Sequence, residues 1–117
     1  LIAIGEPFKL KQPDPEYVAT DPDFLATLIT HPENVAVARE AGLTLLYALV
    51  SNQDDWDRYE GMQTLAAETY ALEQPDDPDV AELLRRRHEA DEQYLRWGRD
   101  TVNWAMYLFN APIEGSG

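Results

Sequence analysis

The sequence predicts an α/β domain, and three observations carry the prediction. Short apolar runs stand at Leu1–Ile4, Leu43–Val50 and Val102–Asn110. Helix start signals and helical periodicity fill the segments between them. The crossover from Ile4 to Leu43 is long enough to join two parallel strands through a helix.

The first run, Leu1-Ile2-Ala3-Ile4, opens without a methionine and breaks off at Gly5-Glu6-Pro7. It reads as the carboxyl end of a strand buried on both faces, which needs neighbours on either side. Open α/β sheets carry their chemistry at the carboxyl ends of strands, so Glu6 is the carboxylate whose place alone is suggestive. Asp14 to Pro22 is polar, contains Pro15 and Pro22, and reads as a connecting loop. Asp21-Pro22 is an N-cap followed by proline, opening a short helix through Phe24, Leu25, Leu28 and Ile29. Thr30-His31-Pro32-Glu33 repeats the signal for a helix that carries Val35, Val37 and Ala38 and stops at Gly42.

Leu43–Val50 holds no charge and, besides the Tyr47 phenol, only the Thr44 hydroxyl, as suits a strand buried on both faces. Ser51 to Asp54 reads as a capping box with Asp as its third residue. The helix after it spaces Trp56, Tyr59, Gln63, Ala66, Ala67 and Tyr70 on one face until Pro75. Asp77-Pro78 opens a third long helix with a stripe of Val80, Leu83, Leu84, Arg87, Tyr94 and Leu95. The last run, Thr101 to Asn110, is rich in Val, Trp, Tyr and Phe and reads as a strand. The organisation expected is one domain or fragment over 1–117. It comprises a strand-helix-strand unit at 1–50, a helical insertion at 51–98, a final strand at 99–111 and a tail at 112–117. Gly115-Ser116-Gly117 within that tail reads as a flexible end or a cloning remnant.

Composition narrows the function classes. A hydrophobic share of 44%, three Trp and six Tyr argue for a packed core rather than disorder. The absence of Cys removes disulfides, thiolate nucleophiles and Cys-based metal sites, and fits a reducing, cytoplasmic compartment. Nine basic against 22 acidic residues give a net charge of −13. That repels phosphate backbones, so a nucleic-acid partner is excluded for this piece. No run is long enough to span a bilayer, so no membrane partner is expected.

The chemistry motifs are sparse. The six Gly form neither G-x-G-x-x-G nor a P-loop, and there is no G-x-S-x-G elbow. His88, Asp91 and Glu92 share a helix face but read as a solvated surface beside Arg85-Arg86-Arg87, so no metal site is expected. His31 reads as a capping or packing residue before a base. Asp54, Asp55, Asp57 and Glu60 cluster at a helix start, where the helix dipole favours them. Trp56, Tyr59, Tyr70, Tyr94, Trp97 and Trp104 suit core packing or the wall of a small-molecule pocket.

Three segments together carry a resemblance. They are Ile4 to Phe8; Thr30 to Asn34, running through Ala41-Gly42-Leu43 into Asp54-Asp55-Trp56-Asp57-Arg58-Tyr59-Glu60-Gly61; and Tyr94-Leu95-Arg96-Trp97-Gly98-Arg99-Asp100-Thr101. The chain resembles the carboxyl-terminal half of bacterial class I S-adenosylmethionine-dependent methyltransferases, from Leu1 to about Ala111. The resemblance implies a partial Rossmann-like sheet of three strands with about four helices, in which the last strand is central and antiparallel to both others. The methyl-donor site of that family lies in its other half, so no cofactor is expected on this chain alone, and S-adenosylmethionine is implied only for an intact enzyme. What the resemblance leaves here is the acceptor side, with Glu6, Phe8, His31, Trp56 and Tyr59 as the substrate-binding candidates and a small-molecule acceptor as ligand. Whether the chain is an enzyme is left open by the missing donor site. The alternative is a stand-alone α/β binding or interaction protein. The apolar edge at Leu1–Ile4 predicts association, either with a second copy as a homodimer or with the missing amino-terminal half.

Overall fold

The computed structural model describes residues 1–112; the tail reading at 113–117 lies outside the described residues. The chain divides into two compact units, a sheet unit of Leu1–Ser51 together with the chain from Asp100 onward, and a helical unit of Asn52–Arg99.

The sheet unit holds β1 (Ile2–Lys9), α1 (Pro15–Val18), α2 (Pro22–Leu25), α3 (His31–Glu40), β2 (Thr44–Val50) and β3 (Val102–Asn110). The sheet order is β1-β3-β2, and β3 runs antiparallel to both neighbours. The central, antiparallel placing of the last strand is therefore borne out. Ile4 faces Tyr107 and Gly5 faces Met106 across one pairing; Ala48 faces Tyr107 and Leu49 faces Met106 across the other. A register shift between Leu45 and Tyr47 leaves Leu46 as an extra residue, a bulge that changes which side chains of β2 turn inward.

β1 is longer than its sequence suggests. Proline at Pro7 signals a strand end, yet the strand continues to Lys9. The reason lies in which way the backbone points. The Leu10 N–H reaches the Thr101 carbonyl at 2.7 Å, while the Lys9 N–H turns the other way to the Ile29 carbonyl at 2.8 Å. Backbone groups alternate along an antiparallel strand, so Pro7, like Lys9, faces away from β3 and its missing N–H breaks no ladder bond. The Pro7 carbonyl on that outer side accepts from Asn34 Nδ2 at 3.2 Å. Glu6 accordingly sits within the strand, opposite Ala105, rather than after its end.

One face of the sheet is covered. Phe8, Val35, Ala105, Tyr107 and Phe109 form its core, with Ile2, Ile4, Ala38, Leu43, Leu45 and Ala48 packed around them. The other face is not, among the described residues: Tyr47 is 62% exposed, Leu49 59% and Met106 45%. Burial of β2 on both faces is thus corrected, as is double coverage of β3 at Met106. An uncharged strand specifies burial only where something packs on each face. On the open face Trp104 and Met106 lie across Gly5, where any Cβ would collide with the indole ring and the sulfur.

Local capping explains the helix ends. Asp14 caps Pro15–Val18, so part of the expected loop is a helical turn. Asp21 caps α2, which ends at Leu25 rather than Ile29 because the Thr27 hydroxyl bonds back to the Asp23 and Phe24 carbonyls. Thr30 and Glu33 form the predicted capping box of α3, and Gly42 closes it at φ 88°, a left-handed value that favours glycine.

The helical unit contains α4 (Gln53–Glu73), α5 (Val80–Gln93) and a π-helical turn at Tyr94–Gly98; a short α6 (Arg99–Thr101) then leads into β3. The cap of α4 is Asn52, whose side chain accepts from the Asp55 N–H at 2.8 Å, not Ser51. α5 starts at Val80, because Asp77 turns its carboxylate to the Asp79 N–H and shapes a turn before the helix. Leu95, expected on the apolar stripe, is 64% exposed, since the π turn inserts a residue and shifts the helical phase. No helix of the described residues is long and apolar enough to cross a membrane.

Candidate functional site

In the sheet unit, β1, α3 and β3 place four aromatic rings and the Asn34 amide together. The capping box starts α3 at His31 and fixes the direction in which that ring enters. His31 stands with its ring centroid 5.1 Å from Phe8 and 5.4 Å from Tyr107, and Tyr107 stacks in turn at 5.8 Å on Phe109. His31 Nδ1 and the Tyr107 hydroxyl share a hydrogen bond of 2.6 Å. Asn34, one turn further along α3, donates to the Pro7 carbonyl and approaches the same hydroxyl at 3.5 Å. Tyr107 is buried, so its hydroxyl needs these partners. Glu33 has its carboxyl held below the usual range by hydrogen bonds from Thr30, which keeps the cap ionised. Cross-strand pairing puts Glu6, Ile4 and Phe8 on one face of β1, and Glu6 is exposed there. The structure therefore brings Glu6, Phe8 and His31 to one face of the sheet unit. Asn34 and Tyr107 join them without having been singled out in the sequence, because their partners lie 27 and 76 residues away.

Trp56 and Tyr59 belong to the helical unit. Their rings meet edge to face at 5.9 Å, and Trp56 lies 6.5 Å from Tyr94. Beside them Asp57 collects three donors. Arg99 Nε donates to Oδ1 at 2.9 Å, Arg99 Nη2 to Oδ2 at 3.1 Å, and the Tyr94 hydroxyl to Oδ1 at 2.7 Å. The Arg99 bonds first, and the Tyr94 bond second, hold the Asp57 carboxyl below its ordinary range. Burial, and then the bond to Asp57, push the Tyr94 phenol well above its own, so it stays a donor at neutral pH. Glu60 pairs with Arg87 at 2.6 Å, and Gln63 accepts from the same guanidinium at 2.7 Å. Asp57 and Glu60 thus cross-link the helices; the helix dipole is not their main partner. The two most specific stretches of the resemblance, Asp55 to Gly61 and Leu95 to Thr101, meet through Asp57 and Arg99.

His88 bonds to Glu68 on α4 at 2.5 Å. Among the described residues no group of three His, Cys, Asp or Glu side chains is placed to hold a metal.

No family model matches the chain. The uncharacterized protein YjhP of Escherichia coli (strain K12) is 26% identical over 113 residues, 95% of this chain and 46% of that protein. The crystal structure of YjhP from E. coli superposes with a TM-score of 0.84 at 25% identity, over 98% of this chain and 47% of that one. Two solved S-adenosylmethionine-dependent methyltransferases, each in complex with S-adenosyl-L-homocysteine, are equally similar in fold. The one from Geobacter sulfurreducens has a TM-score of 0.84 and 25% identity; the one from Thiobacillus denitrificans has 0.84 and 28%. Each is matched over 94% of this chain and 45% of its own. The resemblance to half of a class I methyltransferase holds. The chain spans about half the length of the relatives it matches.

Residues 10–14 follow β1 and residues 51–52 follow β2, and neither turn contains a glycine that would let a backbone approach the methyl donor closely.

Proposed function

We propose that this chain is the acceptor-substrate side of an S-adenosylmethionine-dependent methyltransferase of the cytoplasm, and that it does not transfer a methyl group by itself. The observation that supports this most is the match to two such enzymes over 94% of this chain but only 45% of theirs. Glu6, Phe8 and His31 in the sheet unit, and Trp56 and Tyr59 in the helical unit, are the acceptor-side residues of this reading. Half-buried Trp56 and exposed Tyr59 offer apolar surface, and His31 and Glu6 offer polar groups to orient a small-molecule acceptor.

The open sheet face and the outer edge of β1 support a missing partner. Ala3 and Gly5 turn their backbone groups to the side opposite β3, by the same alternation that frees Pro7, and β1 pairs on one side only among the described residues. In the whole enzyme the amino-terminal half packs there; in the isolated chain a second copy does. Calorimetry and light scattering on the isolated chain test both parts. The expected result is no micromolar binding of S-adenosylmethionine and a mass of twice 13.3 kDa. Micromolar binding overturns the donor-less reading. A monomer with Leu1 to Ile4 protected from hydrogen exchange overturns the pairing.

A further inference from the structure

The spacing of Tyr94 and Arg99 poses a geometric problem. Residues five apart on an α-helix point about 140° away from each other. Yet both side chains reach the one carboxylate of Asp57. The π-helical turn resolves this. The Arg99 N–H bonds back to the Tyr94 carbonyl, five residues earlier. That bond sets Tyr94 and Arg99 one above the other on the same face. The residue displaced outward is Leu95, which is exposed. The same turn presents the Tyr94 ring to Trp56, which meets Tyr59 along α4.

We propose that Asp57 is a positioning residue. It holds the π turn at Tyr94–Gly98 in place and thereby fixes Trp56, Tyr59 and Tyr94 as a preformed aromatic wall. A π turn closes with fewer favourable contacts than an α turn, so a segment with no external anchor relaxes to α geometry. Asp57 is the anchor: a bidentate Arg–carboxylate pair with a phenolic donor on the same oxygen is a directional, charge-assisted arrangement. The Gln53 amide, donating to the Arg99 carbonyl at 3.1 Å, secures the carboxyl end of the turn from the first turn of α4. The depressed Asp57 carboxyl agrees with an anchor that is ionised at neutral pH. Relaxation to α geometry swings Tyr94 and Arg99 apart, and Trp56 then loses the ring it packs beside. The inference rests on the acceptor-side reading for the importance of Trp56 and Tyr59. Its test needs no acceptor, so it can fail while that reading stands.

The test is fluorine NMR of the chain labelled with 5-fluorotryptophan, which reports its three Trp separately, combined with hydrogen exchange at the Arg99 amide. Asp57→Asn is compared with Asp54→Asn, which removes the same charge from the same helix turn without touching the clasp. The expected result is that Asp57→Asn moves or broadens the Trp56 resonance and speeds Arg99 exchange roughly threefold to tenfold, while Trp104 keeps its shift. Asp54→Asn leaves all of these unchanged. Equal effects from the two variants overturn the proposal in favour of a plain helix-dipole role. Should Asp57→Asn unfold the chain, so that Trp104 moves too, Tyr94→Phe decides. It keeps the ion pair and removes one hydrogen bond, and an unmoved Trp56 resonance in that variant overturns the proposal.

Discussion

The sheet unit buries Phe8, Val35, Ala105, Tyr107 and Phe109 against one another, whereas in the helical unit only Ala67 and Gly98 are buried. The helical unit relies instead on cross-links: Glu60 to Arg87, Asp57 to Tyr94 and Arg99, Glu68 to His88, and Tyr70 to Asp77. One unit is held by area removed from water, which is non-directional and indifferent to pH. The other is held by directional polar contacts that depend on protonation state. The helical unit carries the cluster in which a side chain's angle matters most, and the difference between the units shows how that angle is set. Burial fixes which side chains are inside, but hydrogen-bond geometry fixes where an exposed ring points.

The largest effect that separates the two regimes is expected from Phe109→Ala. Phe109 is 2% exposed in the sheet core, and truncation of a buried Phe costs about 3–5 kcal/mol. Urea unfolding measures it; a loss below about 1 kcal/mol would deny the sheet unit its apolar core. Next comes Arg87→Ala. The Arg87 and Glu60 side chains are only 11% and 17% exposed, so removing the cation strands a carboxylate away from water. The expected cost is about 2–3 kcal/mol, below the range for a fully buried pair because Glu60 keeps some solvent access. A cost under about 0.5 kcal/mol in the same denaturation would make this pair equivalent to a surface one.

The smallest effect is acid sensitivity, which sharpens the contrast without breaking either unit. Hydrogen bonds from Arg85 first, then Arg86, hold Glu82 down to about 2, and Asp57 is lowered by Arg99. Both carboxyls are depressed in the folded chain. Their contribution is therefore complete above the unfolded range of about 4, and is lost as pH falls through the folded values. Amide protection in the helical unit should decline between about pH 4 and pH 2. Protection of β3 at Ala105 to Phe109 should stay level over the same window, with fraying confined to the first turn of α3, where Glu33 caps it. Hydrogen exchange followed residue by residue distinguishes the two. Equal decline in both units would show that the sheet core depends on carboxylates as well.

Much of this was legible in the residues. The strands at Leu43–Val50 and Val102–Asn110, the proline-started helices at Asp21 and Thr30, and the stop at Gly42 follow from local chemistry that needs no distant partner. The extent of β1 was not legible, because a proline is tolerated or forbidden according to which side the neighbouring strand lies. The clasp on Asp57 was not legible either. The sequence shows acidic residues at a helix start, and the dipole accounts for any of them equally well. The clue was that the two segments most specific to the resemblance, around Asp57 and around Arg99, lie on different helices and occur together.

By itself the sequence determined the alternation of strands and helices, the caps that start and end them, the acidic surface, and the absence of a glycine loop for a methyl donor. These are local or compositional properties, set by residues within a few positions of one another. Only the tertiary structure decided that β3 lies between β1 and β2, that one face of the sheet is open, that His31 bonds to Tyr107, and that a π turn brings Tyr94 and Arg99 onto Asp57. Each of these joins residues 37 or more positions apart or depends on what packs on the far side of a strand. Periodicity within one segment carries no information about either.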